Sequence, residues 1–170
     1  MHRSIKIISG GQTGADRAGL IFARDNNIPY GGYVPLRRKA EDGVVPMIFT
    51  EMTESASSDY RVRTELNVRE ADCTIVFTRC PLSEVASGSW LTIAFAKKYG
   101  KEWRHVDVNK PNMNEVDKWL EMLYARWHHY GSGLQFTINV AGGRESKNRG
   151  IQDAVLALLK SSTFLFTNQG

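Results

Sequence analysis

The chain lacks the features that mark several classes of protein. It has only two cysteines in 170 residues, Cys73 and Cys80, and their spacing matches no common zinc-binding pattern. A disulfide is therefore not expected, and reduced thiols in a cytoplasmic protein are the simplest interpretation. No run of about 18 apolar residues occurs, so no membrane-spanning helix is expected. Residues 1–4 lead directly into an apolar segment, which leaves no room for a signal peptide.

Strong charge of one sign is also missing. The net charge is +4, and the one dense basic cluster, residues 37–39, is too short for a nucleic-acid-binding tract. A mildly basic balance fits a small anionic ligand as well as a nucleic acid. The weak charge signature argues against a nucleic-acid partner. The remaining composition, 42% hydrophobic and 24% charged, is ordinary for a globular protein, and the length fits a single domain over residues 1–170.

A glycine-rich loop follows the first apolar run of the chain. Residues 5–8 suit a buried strand, and helical spacing begins at Ala15. A strand, a glycine turn and a helix N-terminus can together bind an anion through free backbone N–H groups. The loop matches neither the Walker A pattern nor G-x-G-x-x-G, and its glycines could instead serve only a tight turn. The ligand contacts predicted here are Gly10, Gly11, Gln12, Thr13, Gly14 and Arg17.

Strands and helices are predicted to alternate along the rest of the chain. Residues 31–35 are predicted to be a turn, residues 36–59 a long loop that is either functional or mobile, and residues 164–166 an edge strand or a subunit contact. His128 and His129 complete no metal-binding set. The predicted strands are 5–8, 28–30, 73–78, 104–108 and 134–140, and helices are predicted to begin near 15, 60, 87, 113 and 151.

This alternation predicts an α/β domain with a mainly parallel sheet. In such a sheet the carboxyl ends of all the strands lie along one edge, and ligands bind there. The three polar junctions near Gly11, Gly88 and Gly143 are therefore expected to meet at this edge. Their hydroxyl, amide and guanidinium donors suit a phosphate ester. We expect Gly11→Val to place a side chain in the phosphate position. Besides the first loop, the predicted contacts are Gly88, Ser89, Thr92, Gly142, Gly143, Arg144 and Ser146.

Four motifs, at residues 9–17, 38–43, 63–69 and 139–146, resemble those of the molybdenum-carrier family. That family belongs to the SLOG superfamily, which includes the lysine-decarboxylase-like LOG phosphoribohydrolases. The resemblance implies a Rossmann-like three-layer fold, a nucleotide-like or molybdopterin-type ligand such as the molybdenum cofactor, and a homo-oligomer. Independently of the resemblance, no metal ligated directly by the protein is expected, because no residue set with metal-binding spacing is found. The catalytic glutamate of the LOG enzymes has no counterpart here.

Three functions remain open at the level of sequence. The first is a binding protein or carrier for a phosphorylated ligand, and the second is a hydrolase that cleaves the N-glycosidic bond of a nucleoside monophosphate. The hydrolase needs a carboxylate near the sugar, and Asp16, Glu65 and Glu145 are the candidates. Glu65 could instead pair with Arg61 or Arg69 along a helix. The third is a nucleotide sensor without turnover.

Overall fold

Six parallel strands form the central sheet of the protein. The structure is a computed structural model that describes residues 4–130 and 134–168. The sheet order is β5-β2-β1-β8-β6-β7, and β3 and β4 form a separate antiparallel hairpin. The strands are β1 (Ser4–Ile8), β2 (Tyr30–Val34), β3 (Lys39–Ala40), β4 (Gly43–Val44), β5 (Met52–Glu54), β6 (Cys73–Thr78), β7 (Glu102–Asp107) and β8 (Gln135–Gly142).

Helices cover both faces of the sheet. Helices α1, α4, α5 and α6 contribute to one large hydrophobic cluster with the strands, while α2 and α3 pack together in a separate cluster around Val68 and Phe95. The three-layer Rossmann-like α/β fold is therefore confirmed. The helices are α1 (Ala15–Asp25), α2 (Tyr60–Glu70), α3 (Ser87–Lys98), α4 (Met113–Tyr130), α5 (Ile151–Ser161) and α6 (Thr163–Thr167).

The strand order reverses around β1. From β1 the chain moves outward to β2 and β5, and α2 then returns it across the sheet to β6. The last strand, β8, lies between β1 and β6 and pairs with both. All six residues of β6 are buried, as expected for an interior strand covered on both faces. The carboxyl ends of β1, β8 and β6 thus lie side by side where the order reverses, which is where open α/β sheets bind ligands.

Strand β2 continues through the segment that the sequence predicts to be a turn. Gly31 and Gly32 are part of the strand, and the prediction of residues 31–35 as a turn was wrong. The backbones of β1 and β2 approach so closely here that a Cβ atom on Gly32 would lie 2.3 Å from the carbonyl oxygen of Ser9. Glycine is needed for this close approach, which sequence patterns do not distinguish from a turn.

Two further segments differ from the sequence predictions. Residues 36–59 are not one long loop, because they contain the β3–β4 hairpin and the edge strand β5, which pairs with β2. Residues 164–166 lie in helix α6 rather than in a strand. The carboxylate of Asp117 accepts hydrogen bonds from the Ser162 hydroxyl and the Thr163 backbone N–H, and it fixes the start of this helix.

Residues 1–3, expected to lead directly into β1, lie outside the described part of the chain. Among the described residues, no helix is both long enough and apolar enough to cross a bilayer.

Candidate ligand-binding site

A cavity of about 470 Å³ lies at the carboxyl ends of β1, β8 and β6. All three polar junctions predicted from sequence contribute to its wall, so they meet at one edge of the sheet. Of the predicted contacts, those that line this cavity are Gln12, Gly88, Ser89, Thr92, Gly142, Gly143 and Arg144.

The loops after β1 and β8 are joined directly. The backbone N–H of Ala15, at the start of α1, donates to the carbonyl oxygen of Gly143 at 3.1 Å. Gly14 has a φ of 86°, and a Cβ atom there would lie 2.3 Å from the same oxygen. Glycine at position 14 therefore allows the two loops to touch, and this contact forms one side of the cavity.

The other glycines of the first loop are covered by the chain's own side chains. A Cβ atom on Gly10 would overlap the guanidinium of Arg63, and one on Gly11 would lie 2.8 Å from Val45. Val45 belongs to a small hydrophobic cluster with Val34. The expectation that Gly11→Val would enter the phosphate position was therefore wrong, because the new side chain would meet this cluster instead.

A buried ion pair lies beside the cavity. The Nη1 atom of Arg63 is 2.9 Å from a carboxylate oxygen of Asp16, and the Gln12 backbone N–H donates to the same oxygen at 3.3 Å. Burial raises the pKa of Asp16, and the positive charge of Arg63 opposes this effect without cancelling it. The pair fixes Arg63, which comes from α2, against the loop after β1.

Two buried donors beside the cavity have no partner. The side chain of Gln12 accepts hydrogen bonds from the backbone N–H groups of Thr13 and Glu41, while its Nε2 atom makes none. The Nε atom of Arg63 is also buried without a partner. Because buried polar atoms in proteins are nearly always hydrogen-bonded, these two mark a place where a ligand or water would be bound.

The N-terminus of α3 faces the cavity. Its N-cap residue, Ala86, offers no side-chain hydrogen bond, so the first-turn N–H groups of Ser87, Gly88 and Ser89 carry no cap. Ser89 and Thr92 are buried, and both line the cavity. Free N–H groups and the positive end of the helix dipole together favour an anion at this position.

Cations from the loop after β8 complete the wall. Arg144 and Lys147 line the cavity, and the Arg144 guanidinium carbon lies 5.6 Å from the centre of the Tyr60 ring. Tyr60 and Lys147 were missed by the sequence analysis. Tyr60 occupies the first turn of a predicted helix, and no local pattern shows that this turn reaches the loop after β8.

The remaining predicted contacts lie outside the cavity. Besides the three glycines of the first loop they are Thr13, Arg17 and Ser146, which line a neighbouring depression of about 480 Å³. There the chain supplies its own anions from the β3–β4 turn. The Glu41 carboxylate accepts hydrogen bonds from Thr13 and Ser146, and Asp42 is bound by both terminal nitrogens of Arg17, one at 2.7 Å.

The structure separates the three candidate carboxylates. Asp16 lines the cavity. Glu145 faces the start of α5, where it accepts hydrogen bonds from the backbone N–H groups of Gly150 and Gln152. Glu65 bonds to Lys98, the last residue of α3, and to Tyr99, which follows it, rather than to the helical partners considered from sequence. Within the described ranges, no three His, Cys, Asp or Glu residues are grouped so that they could hold a metal ion.

Comparisons with known proteins agree with this architecture. Residues 7–163 match the model of the circularly permutated YpsA SLOG family. Among solved structures, a putative molybdenum carrier protein from Syntrophus aciditrophicus SB is 39% identical, with a TM-score of 0.81 and 96% of each chain covered. A search of curated proteins finds no match. The resemblance to molybdenum carriers is thus confirmed at the level of family, and the chain belongs to the circularly permuted YpsA family of the SLOG superfamily.

Proposed function

We propose that this protein binds a phosphorylated small molecule, of the nucleotide or molybdopterin type, and serves as a carrier for the molybdenum cofactor. The observation that carries the proposal is the uncapped N-terminus of α3, which shares one cavity with Arg63, Arg144 and Lys147. The name of the Syntrophus protein supports the molybdenum part of the proposal.

The phosphate group is placed at the start of α3. The backbone N–H groups of Gly88 and Ser89 and the hydroxyl of Thr92 supply neutral donors at this position, and Arg144 and Lys147 supply positive charge. No side chain blocks the approach to Gly88, because a Cβ atom built there has no neighbour within 4 Å. The proposal thus moves the phosphate from the Gly10–Gly14 loop, which the chain's own side chains cover.

The flat ring system of the ligand is placed towards Tyr60. An aromatic ring favours stacking with a purine or a pterin. The unpartnered Nε2 atom of Gln12 supplies a donor for a ring oxygen or nitrogen. A cavity of about 470 Å³ also falls in the usual range for sites that hold small cofactors. These residues would hold a molybdenum cofactor through its organic part, while the cofactor itself supplies the metal.

Identification of the ligand that the protein releases tests the proposal. Protein purified rapidly and denatured is expected to release a phosphorylated pterin or a nucleotide, detected by mass spectrometry. Arg144→Ala is expected to release much less of the same compound, and Lys118→Ala, which removes an equal charge outside the cavity lining, is expected to release the wild-type amount. The absence of any phosphorylated compound, together with no thermal stabilisation by nucleotides or molybdenum cofactor, would contradict the proposal.

A hydrolase of nucleoside monophosphates is the second candidate function, and the position of Asp16 favours it. This carboxylate lines the cavity, and burial raises its pKa. If the protein is a hydrolase, incubation with AMP or GMP releases the free base and Asp16→Asn abolishes the release. Glu65→Gln and Glu145→Gln are the matched controls, because both carboxylates lie outside the cavity. Nucleotide binding without release of base, and with no pterin retained, would identify a nucleotide sensor.

We also propose that the protein self-associates in the cytoplasm. Val44, Met47 and Ile48 are exposed apolar residues in the segment after the β3–β4 turn, and a second subunit would cover them. Cys73 and Cys80 are free thiols, which suits a reducing compartment. Light scattering is expected to give a multiple of the monomer mass, and Met47→Asp is expected to lower it. A monomeric mass for the wild type would contradict self-association.

A further inference from the structure

The Glu41 carboxylate is bound much as a ligand anion would be. Its Oε1 atom accepts hydrogen bonds from the Thr13 hydroxyl and from the Ser146 backbone N–H, the latter at 3.1 Å. Its Oε2 atom accepts from the Ser146 hydroxyl at 2.6 Å and lies 3.8 Å from a guanidinium nitrogen of Arg144. Three neutral donors and one cation thus converge on a single carboxylate.

These donors come from loops that are far apart in sequence from Glu41. Thr13 belongs to the glycine loop after β1, Ser146 to the loop after β8, and Glu41 to the two-residue turn between β3 and β4. The hairpin that carries Glu41 pairs over only two residues on each strand. Its backbone is anchored, because Ala40 and Val45 are buried and Asp42 is bound by Arg17. Glu41 would therefore leave its donors by rotation of its own side chain, which needs no change in the central sheet.

The position of Glu41 links it to the ligand cavity. Gln12 and Arg144 line the cavity, whereas their neighbours Thr13 and Ser146 line the depression on the other side. Glu41 therefore lies in the wall between the two spaces. Arg144 serves both, because it lines the cavity and also lies near the Glu41 carboxylate.

We propose that Thr13, Arg144 and Ser146 form a second anion-binding site, which Glu41 closes and which accepts a phosphoryl group when the Glu41 side chain rotates away. The site is separate from the phosphate position proposed at α3. It gives the protein a second phosphoryl subsite, which a ligand with two such groups would use. Glu41 acts as an internal competitor that keeps this subsite shut until such a ligand displaces it.

Titration of Glu41→Ala with orthophosphate, followed through backbone amide resonances, tests this inference. The Ser146 amide of the variant is expected to shift and saturate, with an affinity at least roughly tenfold above that of the wild type. Glu54→Ala removes an equal charge from the exposed strand β5 and is the matched control, with wild-type behaviour expected. If Glu41→Ala does not fold, Glu41→Gln removes the charge while keeping the side-chain shape, and the same shift is expected at lower affinity.

Two results would overturn the inference. One is a Ser146 amide that does not respond to orthophosphate in either folded Glu41 variant. The other is an equal response in the wild type and in Glu41→Ala, since Glu41 would then close nothing. Failure of the proposed function is distinguishable, because it would show as amides of Gly88 and Ser89 that do not respond to AMP, whatever Ser146 does.

Discussion

The Asp16–Arg63 pair is the contact on which the site depends most at the scale of single residues. It joins α2 to the first turn of α1, and the Asp16 side chain is only 4% exposed. A buried charge is costly unless it is paired, so each partner is needed to offset the burial of the other. The guanidinium of Arg63 also covers Gly10, which closes that part of the loop.

Arg63→Ala is expected to destabilise the protein by about 3 kcal/mol or more at pH 8, because it leaves Asp16 buried without its cation. Burial already raises the pKa of Asp16, and loss of Arg63 raises it further. The folded variant then retains a proton that the unfolded chain releases, so its stability falls as pH rises through that pKa. The loss measured by urea denaturation is therefore expected to be smaller at pH 5 than at pH 8.

Arg61→Ala is the matched control for this prediction. Arg61 is exposed on the same helix and packs over the ring of Phe95, so a loss of about 1 kcal/mol or less is expected at either pH. An equal effect of the two substitutions would contradict the role assigned to the buried pair.

Gly14→Ala is expected to destabilise the protein by at least about 2 kcal/mol. The new Cβ atom would lie 2.3 Å from the Gly143 carbonyl oxygen, at a φ that alanine rarely adopts. Gly88→Ala is the contrasting variant, since its Cβ atom meets nothing and alanine favours a helix. The free energy of unfolding of Gly88→Ala is expected to be unchanged or raised by up to about 1 kcal/mol. Thermal denaturation measures both, and a neutral Gly14→Ala would show that the loops after β1 and β8 do not touch.

At the scale of elements, the loop after β8 and the N-terminus of α3 face each other across the cavity. Arg144→Ala is expected to weaken AMP binding by roughly 10- to 150-fold, as for loss of a charge-assisted contact. Arg17→Ala removes the same charge, but Arg17 is bound to Asp42 outside the cavity, so an affinity within about twofold of the wild type is expected. Calorimetric titration distinguishes the two, and equal losses would show that the cavity is not where AMP binds.

The β3–β4 hairpin is expected to make stability depend on pH in acid. Partial burial raises the pKa of Glu41, but hydrogen bonds from Ser146 and Thr13 outweigh this and hold the pKa of Glu41 below its usual value of 4.5. The hydrogen bonds from Arg17 likewise lower the pKa of Asp42. The stabilisation from these two carboxylates is present above their unfolded-state pKa values. It is lost as pH falls through their folded-state pKa values.

Glu41→Gln is therefore expected to lower the free energy of unfolding by about 1 to 2 kcal/mol at pH 7 and to flatten its decline below pH 4.5. Glu54→Gln, on the exposed edge strand, is expected to keep the wild-type profile. Denaturation between pH 3 and pH 7 measures both slopes. A steeper acid decline in Glu41→Gln than in the wild type would contradict the assignment.

The sequence predicts elements well where burial is uniform and poorly where backbones touch. Strand β6 is predicted correctly from its run of buried residues, and helix α4 from its single apolar stripe. Strand β2 does not, because the close approach to β1 demands glycine at position 32. Helix α6 was missed because Asp117, 46 residues away from Thr163, fixes its first turn. Such distant contacts leave no local pattern.

At the scale of the whole molecule, the sequence predicts the fold class and the meeting of three loops at one edge. It does not predict the strand order, because nothing local shows that β8 enters between β1 and β6. It also does not predict which donors stay open. Thr13, Arg17 and Ser146 carry donors that could bind an anion. These donors are instead paired with Glu41 and Asp42, which lie in a segment predicted to be a loop.

A crystal structure of the protein with AMP tests the central claim most directly. The account predicts that phosphate oxygens lie within hydrogen-bond distance of the backbone nitrogens of Gly88 and Ser89, with Arg144 beside them. Phosphate bound on the opposite edge of the sheet, or no nucleotide in the cavity at saturating AMP, would contradict it.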